Sequence, residues 1–94
     1  MTGPQNIKFA CPCCGHKTLA TEASGTYDIC VVCFWEDDGV QLEDVDYEGG
    51  ANGPSLRQAQ QNYAAFGACD ERCVSLVRPP KEDELRDKTW KPLG

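Results

Sequence analysis

Between Ser55 and Gly67 the apolar residues Leu56, Ala59, Tyr63 and Phe66 recur in steps of three and four, which places them on one stripe of a helix. Ser55 with Gln58 three residues on forms a capping box at its start, and Gly67 suits its end. A second short helical piece is expected from about residue 70 to 77, before Pro79-Pro80 stops it. Upstream the pattern is extended. Residues 7–9 form a short run feeding the first cysteines, and residues 17–19 and 27–29 are partly β-prone runs separated by a segment ending in the turn-suited Ser24-Gly25. These last two runs predict a hairpin framed by cysteine pairs, with Phe34-Trp35 covering one side of a small core.

The remaining stretches lack such periodicity. Residues 1–6 read as a loose leader. Residues 37–53 hold four glycines and most of the acids, so they predict a loop with no helix of its own. Residues 79–94 read as a tail, either a last turn or a free end. The whole predicts one small α+β domain over 1–94, with a zinc-ribbon-like part (7–36), an acidic loop (37–53), a helical part (55–78) and the tail.

A chain of 94 residues buries a smaller share of its surface than a large one, so a staple is expected to help it fold. Seven cysteines, at positions 11, 13, 14, 30, 33, 69 and 73, supply the material. Their odd number favours metal over disulfides. The first ten residues carry no apolar run of a secretory leader and no later stretch has the length of a membrane span, so a reducing cytoplasm is the expected compartment.

The pairing is specific. Cys11 and Cys14 enclose two residues, fifteen more lead to Cys30, and Cys33 closes a second pair, the C-x2-C-x15-C-x2-C spacing of a tetrathiolate zinc site. Each Cys-x-x-Cys turn lets two sulfurs converge on one ion, and Gly15 relieves the backbone where the first turn bends back. Such a closed shell is structural: it leaves no position for water or substrate. His16 falls outside the spacing and is expected to be exposed or hydrogen-bonded. Cys13 points away from the ligand set. A nucleophilic Cys13 assisted by His16 would need an orienting third group and an oxyanion hole, and the sequence supplies neither. Cys69 and Cys73, four apart, share a helix face and are expected to be buried small side chains, with a second metal site or a reversible disulfide as the alternatives.

The net charge of −6 is concentrated. Glu36, Asp37, Asp38, Glu43, Asp44, Asp46 and Glu48 follow one another without a base, and the rest of the chain lies one charge from neutral. Residues 44–49 imitate the start of a calcium loop, but the twelfth position is Ser55 where a bidentate glutamate is needed, so the calcium reading fails. An acidic segment argues against a phosphate backbone as partner and for a protein with a basic surface, met through Asp37, Asp38, Asp44 and Asp46; a plain acidic surface loop whose turns need Gly49, Gly50 and Gly53 is the equal alternative.

The string CPCCGHKTL, the following YDICVVCFWEDDGVQLEDVDYEGGAN and the helix opened by SL resemble the bacterial cysteine-rich CPCC family over roughly residues 9–80. The resemblance implies a small protein of zinc-ribbon character with Cys11, Cys14, Cys30 and Cys33 as ligands, residues 35–38 as a signature and no established reaction. Its motifs do not reach Cys69, Cys73 or the last dozen residues. The functional expectation is a non-catalytic zinc protein acting as a protein-interaction module, in its specific form an antitoxin or immunity-type protein, with no nucleic acid or membrane partner. A thiol-based redox protein or enzyme using a non-ligand cysteine is the alternative.

Overall fold

A computed structural model describes residues 8–94; the expected leader and Ile7 of the first extended run lie outside the described residues. The elements are β1 (Phe9–Ala10), β2 (Lys17–Leu19), α1 (Gly39–Glu43), α2 (Leu56–Phe66) and a 3-10 helix (Glu71–Leu76). This is a small α+β arrangement consistent with a zinc-ribbon-like fold.

The strands pair differently from the expected hairpin. β1 is antiparallel to β2, with Phe9 opposite Leu19 and Ala10 opposite Lys17, so the first cysteine pair is the turn of its own hairpin. Ile29 instead bridges to Glu36 across the second pair. The two turns repeat one hydrogen-bond pattern. Cys11 N–H donates to His16 C=O and Gly15 N–H to Cys11 C=O, as Cys30 N–H donates to Trp35 C=O and Phe34 N–H to Cys30 C=O. Gly15 and Phe34, which occupy matching positions, both have positive φ, 81° and 70°. Strands of two or three residues have too little side-chain alternation to set a register, and the sulfurs set it here.

The core gathers on these turns. Cys11, Cys14, Cys30, Cys33, Leu19, Val32, Trp35, Leu56, Ala59 and Cys69 form one buried cluster. Cys13 and Val32, the matching third residues of the two turns, are both buried in it. α2 begins where the capping box predicts, with Ser55 Oγ accepting from Gln58 N–H, and ends with Gly67 N–H returning to Tyr63 C=O. Phe66 is exposed, so the buried stripe is narrower than the sequence pattern. Cys69 and Cys73 do not share a helix face: Cys69 precedes the 3-10 helix and gives its N–H to Cys33 C=O, while Asp70 caps that helix through Arg72 N–H.

Segment 37–53 is not a loop throughout, because Asp38 caps α1 by accepting from Val40 and Gln41 N–H. The tail is not a free end: it turns twice, with Glu84 N–H donating to Lys81 C=O and Trp90 N–H to Asp87 C=O. Lys17 N–H donates to Leu85 C=O and Asp87 N–H to Gly15 C=O, which lays the C-terminal segment along β2 and the first cysteine turn. Arg78 and Glu84 brace it with two 2.7 Å contacts, and the Arg78 guanidinium lowers the Glu84 carboxyl to about 2.

Candidate metal centre

Each pair of sulfurs is delivered by one turn. The Sγ atoms of Cys11, Cys14, Cys30 and Cys33 all lie within 4.8 Å of one another, and all four residues are fully buried. Cys11 Sγ is 3.6 Å from Cys33 Sγ, and Cys14 Sγ is 3.7 Å from Cys30 Sγ. Four sulfurs at 2.3 Å around one tetrahedral zinc stand about 3.8 Å apart, whereas a disulfide requires about 2.0 Å. The closest contacts run between the two turns, so the geometry is that of a shared ion and the cysteines are free thiols. The residues present therefore fit a tetrathiolate metal site.

The electrostatics of the cluster point the same way. Burial pushes the Cys11 and Cys33 thiols up, whereas hydrogen bonds from the surrounding thiols, Cys11 first, pull Cys30 down. Four buried sulfurs can all be thiolates only if a cation offsets their charge. Cys30 has further support. Thr18 Oγ1 donates to its sulfur at 3.0 Å, and the N–H groups of Val32 and Cys33 approach it at 3.4 and 3.5 Å. Thr18 was not legible as a site residue, since a single β-prone threonine carries no spacing signal.

The first turn is clamped from outside. Trp90 Nε1 donates to Pro12 C=O at 2.8 Å, Gln60 Nε2 to the same oxygen at 2.9 Å and Arg86 Nε to Cys14 C=O at 3.0 Å. His16 donates from Nδ1 to Glu84 C=O at 2.7 Å, the hydrogen-bonded state expected of it. At Gly15 a Cβ would meet Trp90 ring carbons at 2.6 and 2.7 Å, on a backbone already at φ 81°. Gly15→Ala is therefore expected to displace the Trp90 ring and loosen the tail. Limited proteolysis should cleave after residue 84 at least about tenfold faster in the variant while the metal content is kept.

The acidic signature has an internal job that the sequence did not reveal. Asp37 is fully buried, and its carboxylate accepts from the N–H groups of Ser24, Gly25 and Thr26 and from Thr26 Oγ1, each at 2.9 Å. Burial alone would raise its pKa, but these donors outweigh it and hold the carboxyl below its ordinary value. Asp38 Oδ2 accepts from Ala51 N–H at 2.7 Å, the leading cause of its lowered pKa, and a Cβ on Gly50 would run into that carboxylate. Asn52 pairs with Glu36 as a strand would, receiving its N–H and donating to its C=O, and meets the buried Gln41. Asp37 is thus not a docking residue: it is consumed inside the fold, tying the acidic segment to the turn at residues 24–26. Asp38 is largely consumed as well, on α1 and Ala51, and only its edge reaches the surface. Asp44 and Asp46 are exposed, and Asp46 pairs with Arg57 at 2.8 Å.

Of the three other cysteines, Cys13 and Cys69 are buried and Cys73 is partly exposed. Burial, then the neighbouring Cys13 and Cys73, push the Cys69 thiol up, which works against a reactive thiolate there. No helix among the described residues is long and apolar enough to cross a membrane.

Fold and site together define a small zinc-ribbon-like protein built on a tetracysteine cluster at metal-binding distances. A family model described as cysteine-rich CPCC matches residues 9–84, and the chain belongs to that family. Comparison with curated proteins gave no match.

Proposed function

We propose that the protein is a non-catalytic zinc-binding module that recognises a basic protein partner. The observation that carries this reading is the four fully buried sulfurs that converge within 4.8 Å of one another: they suffice to fill a tetrahedral shell, so the metal serves the fold and the surface serves the function. Zinc is the metal that four thiolates in a tetrahedron suit best.

An open acidic groove lies between the Asp37-bound turn and α1, lined by Tyr27, Asp38, Val40, Glu43 and Asp44. Tyr27 and Val40 are more than half exposed, and Tyr27 is held at φ 63° by its N–H bond to Asp37 C=O. Apolar side chains flanked by carboxylates suit a lysine- or arginine-bearing segment, whose aliphatic stem and cationic head match the two parts. In its specific form this is an antitoxin or immunity-type cap on the cationic cleft of a nuclease-like protein.

The test is affinity capture from the cells that make the protein, comparing the native chain with Glu43→Lys/Asp44→Lys and with Tyr27→Ala. A basic partner retained by the native chain, released by raised salt and lost in the charge-reversal variant supports the reading. A partner whose retention ignores both salt and charge reversal contradicts it. A redox protein would instead show rapid, reversible oxidation at Cys73 and Cys69, which the raised Cys69 thiol opposes.

A further inference from the structure

The C-terminal segment and α2 form an open concavity of about 500 Å³ beside the first cysteine turn, with Ala64, Arg86 and Pro92 exposed on its walls. Cys13 comes from the turn, Tyr63 and Ala64 from α2, and Arg86, Trp90 and Pro92 from the C-terminal segment. The size falls among small-molecule pockets, and the walls are mostly apolar with a few polar groups.

Arg86 is its one cationic wall residue and is held from two sides. Its Nε donates to Cys14 C=O at 3.0 Å, and its guanidinium carbon lies 5.0 Å from the centroid of the Trp90 ring. Trp90 is itself fixed to Pro12 C=O, so this stack is anchored to the metal-bearing turn. The two Nη groups of Arg86 and the Tyr63 hydroxyl have no hydrogen-bond partner among the described residues. A pre-positioned guanidinium fork with free donors, a phenol hydroxyl and an aromatic wall meet in one concavity.

We propose that this concavity binds a small organic monocarboxylate with a planar apolar body, the carboxylate on Arg86 Nη and the Tyr63 hydroxyl and the body against Trp90, Pro92 and Ala64. A guanidinium matches a carboxylate with two parallel hydrogen bonds, and the apolar wall favours a body that leaves water. A phosphate dianion fits less well, since one arginine opposes two charges within a chain of net charge −6. Arg86, Trp90 and Pro92 stand beyond the residues that the family model matches, so the pocket is completed by this chain's own C-terminal segment. The site is separate from the acidic groove and does not depend on the partner reading.

Titration of the metal-loaded full chain with sodium benzoate tests this, with benzamide and acetate in parallel and the amide and indole N–H resonances as readout. Benzoate is expected to give saturable shifts at the Trp90 indole N–H and the Ala64 and Gly67 amides, with affinity at least about tenfold above that of benzamide or acetate. Arg86→Gln should lower benzoate affinity by about tenfold or more. Tyr63→Phe, which keeps the ring and leaves every tail contact in place, should lower it about threefold to tenfold. If Arg86→Gln loosens the tail, the tyrosine variant decides alone. Shifts that do not saturate, equal responses to benzoate and benzamide, or unchanged affinity in Tyr63→Phe overturn the proposal.

Discussion

Cys33→Ser is expected to leave a chain that neither retains zinc nor melts cooperatively. Cys33 is fully buried, its sulfur stands 3.6 Å from that of Cys11, and its carbonyl receives the N–H of Cys69, so the second turn and the segment after α2 both depend on it. Structural zinc supplies about 10–16 kcal/mol of apparent binding energy at neutral pH, comparable to or larger than the net stability of an ordinary domain. Strands of two and three residues cannot replace that sum. Cys73→Ser, which removes a partly exposed thiol outside the cluster, should keep the metal and shift the melting temperature by only a few degrees. Metal content and a thermal melt of the two variants check the contrast.

The second large effect is expected at Asp37→Asn. The carboxylate accepts four hydrogen bonds from residues 24–26, and an amide would turn a donor toward backbone N–H groups that need an acceptor. Charge-assisted bonds in a buried site carry about 1.5–3 kcal/mol each but do not add fully, so a loss of roughly 3 kcal/mol is expected in denaturant unfolding of the metal-loaded protein. Because the folded-state pKa is depressed, the aspartate contributes its full stabilisation above the ordinary carboxyl value of 3.8 and loses it as pH falls toward the folded value. The gap between the native chain and the variant should hold constant from neutral pH down to about 5 and narrow only below about 4. A variant as stable as the native chain would show that the turn holds itself.

The clustering of Cys11, Cys14, Cys30 and Cys33 was legible because the chemistry of a metal site fixes the spacing: a Cys-x-x-Cys turn brings two sulfurs together whatever surrounds it. The start of α2 was legible for a similar reason, since the capping box is local, and Ser55 and Gln58 meet as the string suggests. The strand pairing was not. Residues 27–29 have a β-prone composition, but each cysteine turn closes on its own flanks, leaving Ile29 to meet Glu36 rather than residues 17–19.

The burial of Asp37 was not legible, for a physical reason as well. Seven acids without a base read as a solvated face, and nothing in the string shows that Asp37 meets three backbone N–H groups eleven to thirteen residues earlier. Burying a carboxylate is tolerated when its donors are in place, and those donors belong to the turn it organises. The tail escaped notice because its contacts are to carbonyls. Trp90 and Arg86 recognise the backbone of residues 12 and 14, which leaves no mark on the side chains of the turn. Gly15 bears the one trace, as a position with no room for a side chain.

Native mass spectrometry of the freshly purified protein, combined with brief thiol labelling before unfolding, tests the tetrathiolate account most directly. One bound zinc with labelling confined to Cys73, the only partly exposed cysteine, is the expected result. A metal-free chain, or rapid labelling at Cys11, Cys14, Cys30 and Cys33 in the folded protein, would contradict it.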